Sequence, residues 1–139
     1  MYASTSTAHP ADAVARVMVW PVATVGTATS LLEVAEALAA EGVGVVAVVH
    51  NDRLAGLVSE RDVVQHLAQG ANPEHVTAAD VMSVDLVTVG PDDHVLDTAR
   101  RMVEADVRHL PVMDGDEIAG IVSMRDLFGV IVAAAAPWE

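Results

Sequence analysis

The chain has 139 residues, with 20 Asp and Glu against 7 cations and a net charge of −13. That length fits one domain, or one domain built from two halves. The charge excludes nucleic acid and anionic membrane surfaces as partners, because both select cationic groups.

Taken in chain order, residues 1–12 are small and polar and are expected to be flexible. Val22–Val25 is a short extended stretch. Ser30 opens a helix with Glu33 three residues on, the spacing of a capping box. Leu31, Val34, Ala35 and Leu38 line one face at spacings of three and four, and Gly42 ends the helix. Val43–Val49 reads as a buried strand, His50-Asn51-Asp52 as a turn and Leu54–Val58 as the paired strand. A helix follows, with Val63, Val64 and Leu67 assigned to its inner face. Residues 69–77 form a linker with Gly, Asn and Pro as breakers.

The same order then returns. Leu86–Val89 is an extended stretch and His94–Ala105 a helix. Arg108–Met113 and Glu117–Val122 are strands joined by Asp114-Gly115, the stronger of the two hairpin signals. A last helix starts near Met124, and residues 133–139 are a tail. The layout is thus 1–12, repeat 13–68, linker 69–77, repeat 78–132 and tail 133–139.

The recurrence is an internal duplication. Offset by 64 residues, 14–67 aligns with 78–131 without a gap and with 17 identities in 54 pairs. The densest match sets AGLVSERD (55–62) against AGIVSMRD (119–126). Two copies are too few for a solenoid; two units that each leave an apolar face exposed pack on one another instead.

Each repeat carries Gly-x-x-Ser-x-x-Asp where a strand meets a helix: Gly56, Ser59, Asp62 and Gly120, Ser123, Asp126. One reading is helix capping, with Ser accepting backbone N–H groups and an acid in the first turn. The other is a nucleoside-phosphate site. There Gly admits a close ligand, the helix start attracts phosphate and the acid holds ribose hydroxyls. Capping does not call for an Arg beside the Asp, yet Arg61 and Arg125 stand there in both copies, and this favours the second reading.

These motifs resemble a tandem pair of cystathionine β-synthase (CBS) domains, a Bateman module. The resemblance rests on the repeated Gly-x-x-Ser-x-x-Asp, Val-Met at 17–18 and 81–82, Val-Thr-Val-Gly-Pro-Asp at 87–92 and Arg-His-Leu-Pro-Val at 108–112. It covers residues 14–132 and implies an α/β (α+β) fold of two β-α-β-β-α units packed with pseudo-two-fold symmetry. It also implies clefts between the units for adenosine-containing ligands. AMP, ADP or ATP is the class expected, with S-adenosylmethionine and NAD as further members, and no cofactor is required.

Position by position, the resemblance makes Asp62 and Asp126 the ribose-gripping acids. Ser59 and Ser123 become hydroxyls beside the phosphate, with Arg61 and Arg125 next to them. Thr24 and Thr88 would each face the site of the opposite repeat, and Arg108 and His109 would meet the phosphates. The favoured site is therefore Asp126, Ser123, Arg125, Arg108, His109 and Thr24; the weaker one is Asp62, Ser59, Arg61 and Thr88. The ordering follows from the offset, which sets Gly44 and Val45 where the second repeat has Arg108 and His109. Trp20 lies near the implied cleft, with a packed strand edge as the plainer reading, and Trp138 is a tail residue.

Other chemistry has little support. Cysteine is absent, which excludes a disulfide scaffold, thiol catalysis and thiolate metal sites. No two of the six histidines share a helical face, so no metal site is expected. No Ser, His and acid recur together as a nucleophile and its base. The chain also has no lysine for a Walker-type loop, so catalysis is not expected. The composition is 53% hydrophobic, yet its apolar runs fall far short of the ~18–20 residues a membrane helix needs. The N-terminus lacks a signal pattern, so a cytoplasmic location is expected, and the all-Arg, Val- and Ala-rich usage suggests a high-GC bacterial source.

The expectation is thus a stand-alone, non-catalytic sensor of an adenosine ligand. It would form a homodimer through the faces Val63/Val64/Leu67 and Leu127/Phe128/Ile131 and signal to an unknown effector protein, with no nucleic acid or membrane partner. The alternative is a structural or partner-binding module with one or both clefts empty. The same two faces would then simply complete the internal core.

Overall fold

A computed structural model describes residues 8–135. Residues 1–7 and 136–139, which include Trp138 and parts of the expected flexible N-terminus and tail, lie outside the described residues. A short 3-10 turn, Val14–Arg16, precedes β1 (Thr24–Gly26). At α1 (Leu31–Glu41), Ser30 Oγ accepts the Glu33 N–H and the Glu33 carboxylate accepts the Ser30 N–H, both at 3.1 Å. Gly42, at φ 65°, closes the helix in the left-handed conformation.

β2 (Val45–His50) and β3 (Arg53–Ser59) form an antiparallel hairpin whose turn residues Asn51 and Asp52 sit at φ 51° and 63°. That is the backbone a two-residue hairpin requires. β1 lies parallel to β2, giving the sheet order β1-β2-β3. α2 (Glu60–Ala68) and the short α3 (Ala78–Val81) follow.

The second repeat gives α4 (Val95–Ala105), β4 (His109–Asp114), β5 (Glu117–Ser123) and α5 (Met124–Ala134). Asp106, at φ 54°, ends α4 as Gly42 ends α1. Both hairpins shift register at the same place, Val48/Val49 and Val112/Met113. The repeats are thus two β-α-β-β-α-like units of a mixed α/β fold, with one departure. Leu86–Val89 makes no strand and is reduced to a single parallel bridge, Val89 to Val112. The reason lies across the sheet. Ala47 N–H donates to Ala23 O at 2.9 Å beside β1, and the matching residue is Pro111, which has no N–H to donate.

The compact units are offset from the sequence repeats. One is Val22–Leu86; the other joins the chain up to Pro21 with the chain from Val87 onward. Within the second, Val14 N–H donates to Asp93 O at 2.7 Å, and Val19 pairs with Ile121 through bonds of 2.8 and 3.0 Å. Pro10 and Asp12 carbonyls accept the first N–H groups of α4, those of Leu96 and Val95. So residues 10–12, placed in a flexible segment by their composition, cap a helix.

Within Val22–Leu86 the same device recurs. Pro73 and Val76 carbonyls accept from Leu32 and Leu31 at the start of α1, and Ser83 pairs with Leu57 at 3.1 and 2.9 Å. The stretch expected as a plain linker is therefore part of the unit. Each repeat's opening segment completes the unit of the other repeat.

Each unit has its own core. Leu31, Val34, Val46, Val48, Val58 and Ala78 are buried together in one; Val14, Val17, Val95, Met102, Leu110 and Leu127 in the other. The assignment of α2's inner face is corrected: Val63 is buried, but Val64 and Leu67 are 64% and 45% exposed. On α5, Leu127 is buried and Phe128 is 65% exposed. One stripe of each helix fills its core and the neighbouring stripe does not. Trp20 is exposed. Among the described residues no helix is long and apolar enough to cross a membrane.

Candidate functional site

The strand-to-helix junction is built the same way twice. β3 delivers Ser59 and β5 delivers Ser123 as the N-caps of α2 and α5. Ser59 Oγ accepts the Asp62 N–H at 3.2 Å, and Ser123 Oγ accepts the Asp126 N–H at 3.1 Å. Capping is therefore real at both junctions. All four side chains are half-buried, so both junctions are open to solvent.

The aspartates behave differently. The Asp62 carboxylate closes a capping box, accepting from Ser59 N–H at 2.9 Å and Ser59 Oγ–H at 3.0 Å. Asp126 makes no such return bond; α5 has the serine cap without the box. One carboxylate is occupied by its own helix start, and the other remains available to a hydroxyl donor.

The neighbouring strand sets the charge. Met124 N–H donates to Arg108 O at 2.8 Å, and His109 lies opposite Ser123 in the β4–β5 register. Arg108, His109, Ser123, Arg125 and Asp126 are thus gathered at one junction. In the other half Glu60 N–H donates to Gly44 O at 2.9 Å, and Val45 lies opposite Ser59, so Ser59, Arg61 and Asp62 have no cation across the strand. Arg108 and Arg125 are exposed, and among the described residues neither is held in an ion pair. Elsewhere arginines do find acids, as Arg16 does Asp12 at 3.0 Å and Arg101 does Asp93 at 3.7 Å.

Thr24 starts β1 in the unit that holds Asp62. Thr88 precedes Val89 in the unit that holds Asp126, and its carbonyl accepts from Arg101 at 3.3 Å. Each threonine therefore shares a compact unit with the aspartate of its own repeat.

The motif glycines serve packing. A Cβ on Gly56 would stand 2.7 Å from Ser83 O and 2.8 Å from Met82 Sδ; one on Gly120 would stand 2.6 Å from Met18 Sδ and 3.0 Å from Val19 O. The space read as room for a ligand is filled by the opening segment of the other repeat. The signal for this was present in the sequence, since Met18 and Met82 recur at the same offset as the glycines. A second feature was passed over: Glu60 at the first position of α2 matches Met124 at the first position of α5. Among the described residues, no three of His, Asp and Glu gather as metal ligands.

The CBS domain family model matches residues 14–69 and 78–133, both repeats in full. The chain belongs to the CBS domain family. This CBS pair is 36% identical over 102 residues to MK0525, an uncharacterized protein of Methanopyrus kandleri; the match takes 71% of the chain and spans only 52% of that relative. It is 29% identical over 110 residues to the CBS domain-containing protein YhcV of Bacillus subtilis, covering 79% of each. The CBS domain pair of protein MJ0100, solved in complex with 5′-methylthioadenosine and S-adenosyl-L-methionine, shares the fold. Its TM-score is 0.79 at 24% identity, covering 86% of this chain and 94% of that one.

Proposed function

We propose that this CBS pair is a non-catalytic regulatory module that binds an adenosine-containing ligand of the AMP, ADP and ATP class at the Asp126 junction. The observation that carries this reading is the pair Arg108 and Arg125. Both lack an ion pair among the described residues, in a chain where acids outnumber cations 20 to 7. An anion held between such groups and the N-terminus of α5 gains charge-assisted hydrogen bonds, while the Asp126 carboxylate, free of a capping box, accepts ribose hydroxyls. His109 is the further phosphate contact. Ser59, Arg61 and Asp62 form the weaker site, and Thr24 and Thr88 are additional hydroxyl candidates.

Ligand changes the module's output by binding one of its arrangements better than another. The exposed Val64 and Phe128, at matching positions of α2 and α5, support a homodimer, and an effector protein receives the signal. The second reading is a structural or partner-binding module with no nucleotide in one or both clefts; Gly44 and Val45, which supply no cation, leave room for it in the Asp62 half.

The test is thermal unfolding of the wild type and Asp126→Ala with AMP, ADP, ATP, S-adenosylmethionine and NAD. A ligand at 100 times its Kd adds about 2.7 kcal/mol, several degrees in Tm. The expected result is a shift with an adenine nucleotide that Asp126→Ala abolishes. No shift with any of the five would overturn the reading.

A further inference from the structure

The two junctions share a backbone and differ in charge at three positions that the hydrogen bonds bring together. Gly44, Val45 and Glu60 stand in one half where Arg108, His109 and Met124 stand in the other. Gly44 O and Arg108 O accept the first N–H of α2 and α5 at 2.9 and 2.8 Å, so residues 44 and 108 lie against the first helical turn. Val45 and His109 face the capping serines across the strands. The Asp62 junction thus presents two acids, Glu60 and Asp62, with one arginine, Arg61. The Asp126 junction presents two arginines, Arg108 and Arg125, with one acid. The contrast runs against the chain's overall gradient, since residues 71–139 hold 13 of the 20 acids.

A phosphate at the start of α2 would lie beside the exposed Glu60 carboxylate with no cation supplied from β2. Like charges repel, and the effect is strongest within a Debye length of about 8 Å at physiological salt. A ligand with no phosphate, or with a positive centre, meets no such penalty. It still finds a carboxylate for its ribose, in exchange for the Ser59–Asp62 box.

We propose that the Asp62 junction takes adenosine derivatives that carry no phosphate and no net negative charge, a nucleoside, thioether or sulfonium, while the Asp126 junction takes nucleotides. The module then responds to two ligand classes that differ in charge. This rests on the reading of the junctions as adenosine sites, and it names Glu60 and Gly44 as the residues that set the selectivity of the first.

The test is calorimetric titration of the full chain with AMP, 5′-methylthioadenosine and S-adenosylmethionine. Asp126→Ala isolates the Asp62 junction, and the exchange Glu60→Met with Gly44→Arg is added to it. In Asp126→Ala, 5′-methylthioadenosine binds at least about tenfold tighter than AMP, the scale of one charge-assisted hydrogen bond. The exchange erases that preference. In the wild type, AMP affinity falls with added salt, 5′-methylthioadenosine affinity stays flat, and both readings are insensitive to a purely structural role for Glu60. If AMP binds the Asp62 junction as well as 5′-methylthioadenosine does, or the exchange leaves the preference unmoved, the selectivity is overturned while the function stands. If no probe binds the wild type, both fall together.

Discussion

The Asp62 and Asp126 halves keep the same helix caps, the same register shift in the hairpin and the same glycine pressed against a methionine. They differ at the surface of the junction, where one carboxylate is tied into its helix start and the other is not, and where Arg108 replaces Gly44. The shared serine caps and glycines hold the fold in both halves, and the positions that differ at the junction, Gly44 against Arg108 and Glu60 against Met124, change its charge.

Truncating the two cores gives the largest test of how alike the halves are. Leu31 and Leu110 are both fully buried, one in each core. Leu31→Ala and Leu110→Ala should each cost about 3 kcal/mol in urea unfolding. If the two units unfold independently, each variant shifts only one of two transitions; if they unfold as one, each moves a single transition.

The glycine pair sharpens the comparison next. An added methyl at Gly56 meets a backbone oxygen at 2.7 Å, whereas at Gly120 the nearest atoms belong to the Met18 side chain and the backbone oxygen is at 3.0 Å. Gly56→Ala should cost about 2–3 kcal/mol and Gly120→Ala about 1 kcal/mol, within the range for overpacking. Equal losses in chemical denaturation would break the proposed difference.

The aspartates should part company without any ligand. Asp62→Ala loses two hydrogen bonds of the capping box and should lower stability by about 1 kcal/mol. Asp126→Ala loses none and should be near neutral by thermal unfolding. A matched loss would show that the two junctions are capped alike.

The smallest effect is in Asp80, whose pKa the Thr77 backbone N–H, and then the Thr77 hydroxyl, hold below the usual aspartate value. A carboxylate with a lowered folded-state pKa adds stability above its unfolded pKa and loses it as pH falls through the folded one. Asp80→Asn should therefore lower Tm slightly at neutral pH, and the gap from wild type should close toward pH values below the ordinary aspartate range.

Much of this was legible in the sequence because it is local. The Ser30–Glu33 box, the Gly42 stop and the 64-residue offset are all matters of spacing along one stretch of chain. Pro111 was visible too, but its effect on Leu86–Val89 depends on a hydrogen bond across the sheet that no periodicity records. The same holds for Gly56 and Gly120, whose close neighbours are brought in by the other repeat. Val64 and Leu67 share the helical spacing of buried residues, yet the core is filled by Val63. At the junctions, spacing placed Ser59, Asp62, Ser123 and Asp126 at the two helix starts but not which carboxylate was already engaged, since identical motifs have identical spacing.

The exchanged opening segments give synthesis a direction. Val22–Leu86 is continuous, so every contact in its core is present once Leu86 has emerged. Residues 10–19 are made earlier still, but they must wait for α4 and β5, and the Val19–Ile121 pairing closes a far longer loop than Leu57–Ser83 does. Longer closure costs more entropy and slows assembly. During translation residues 10–19 are thus made before Val22–Leu86 yet find their place after it, once α4 and β5 have followed.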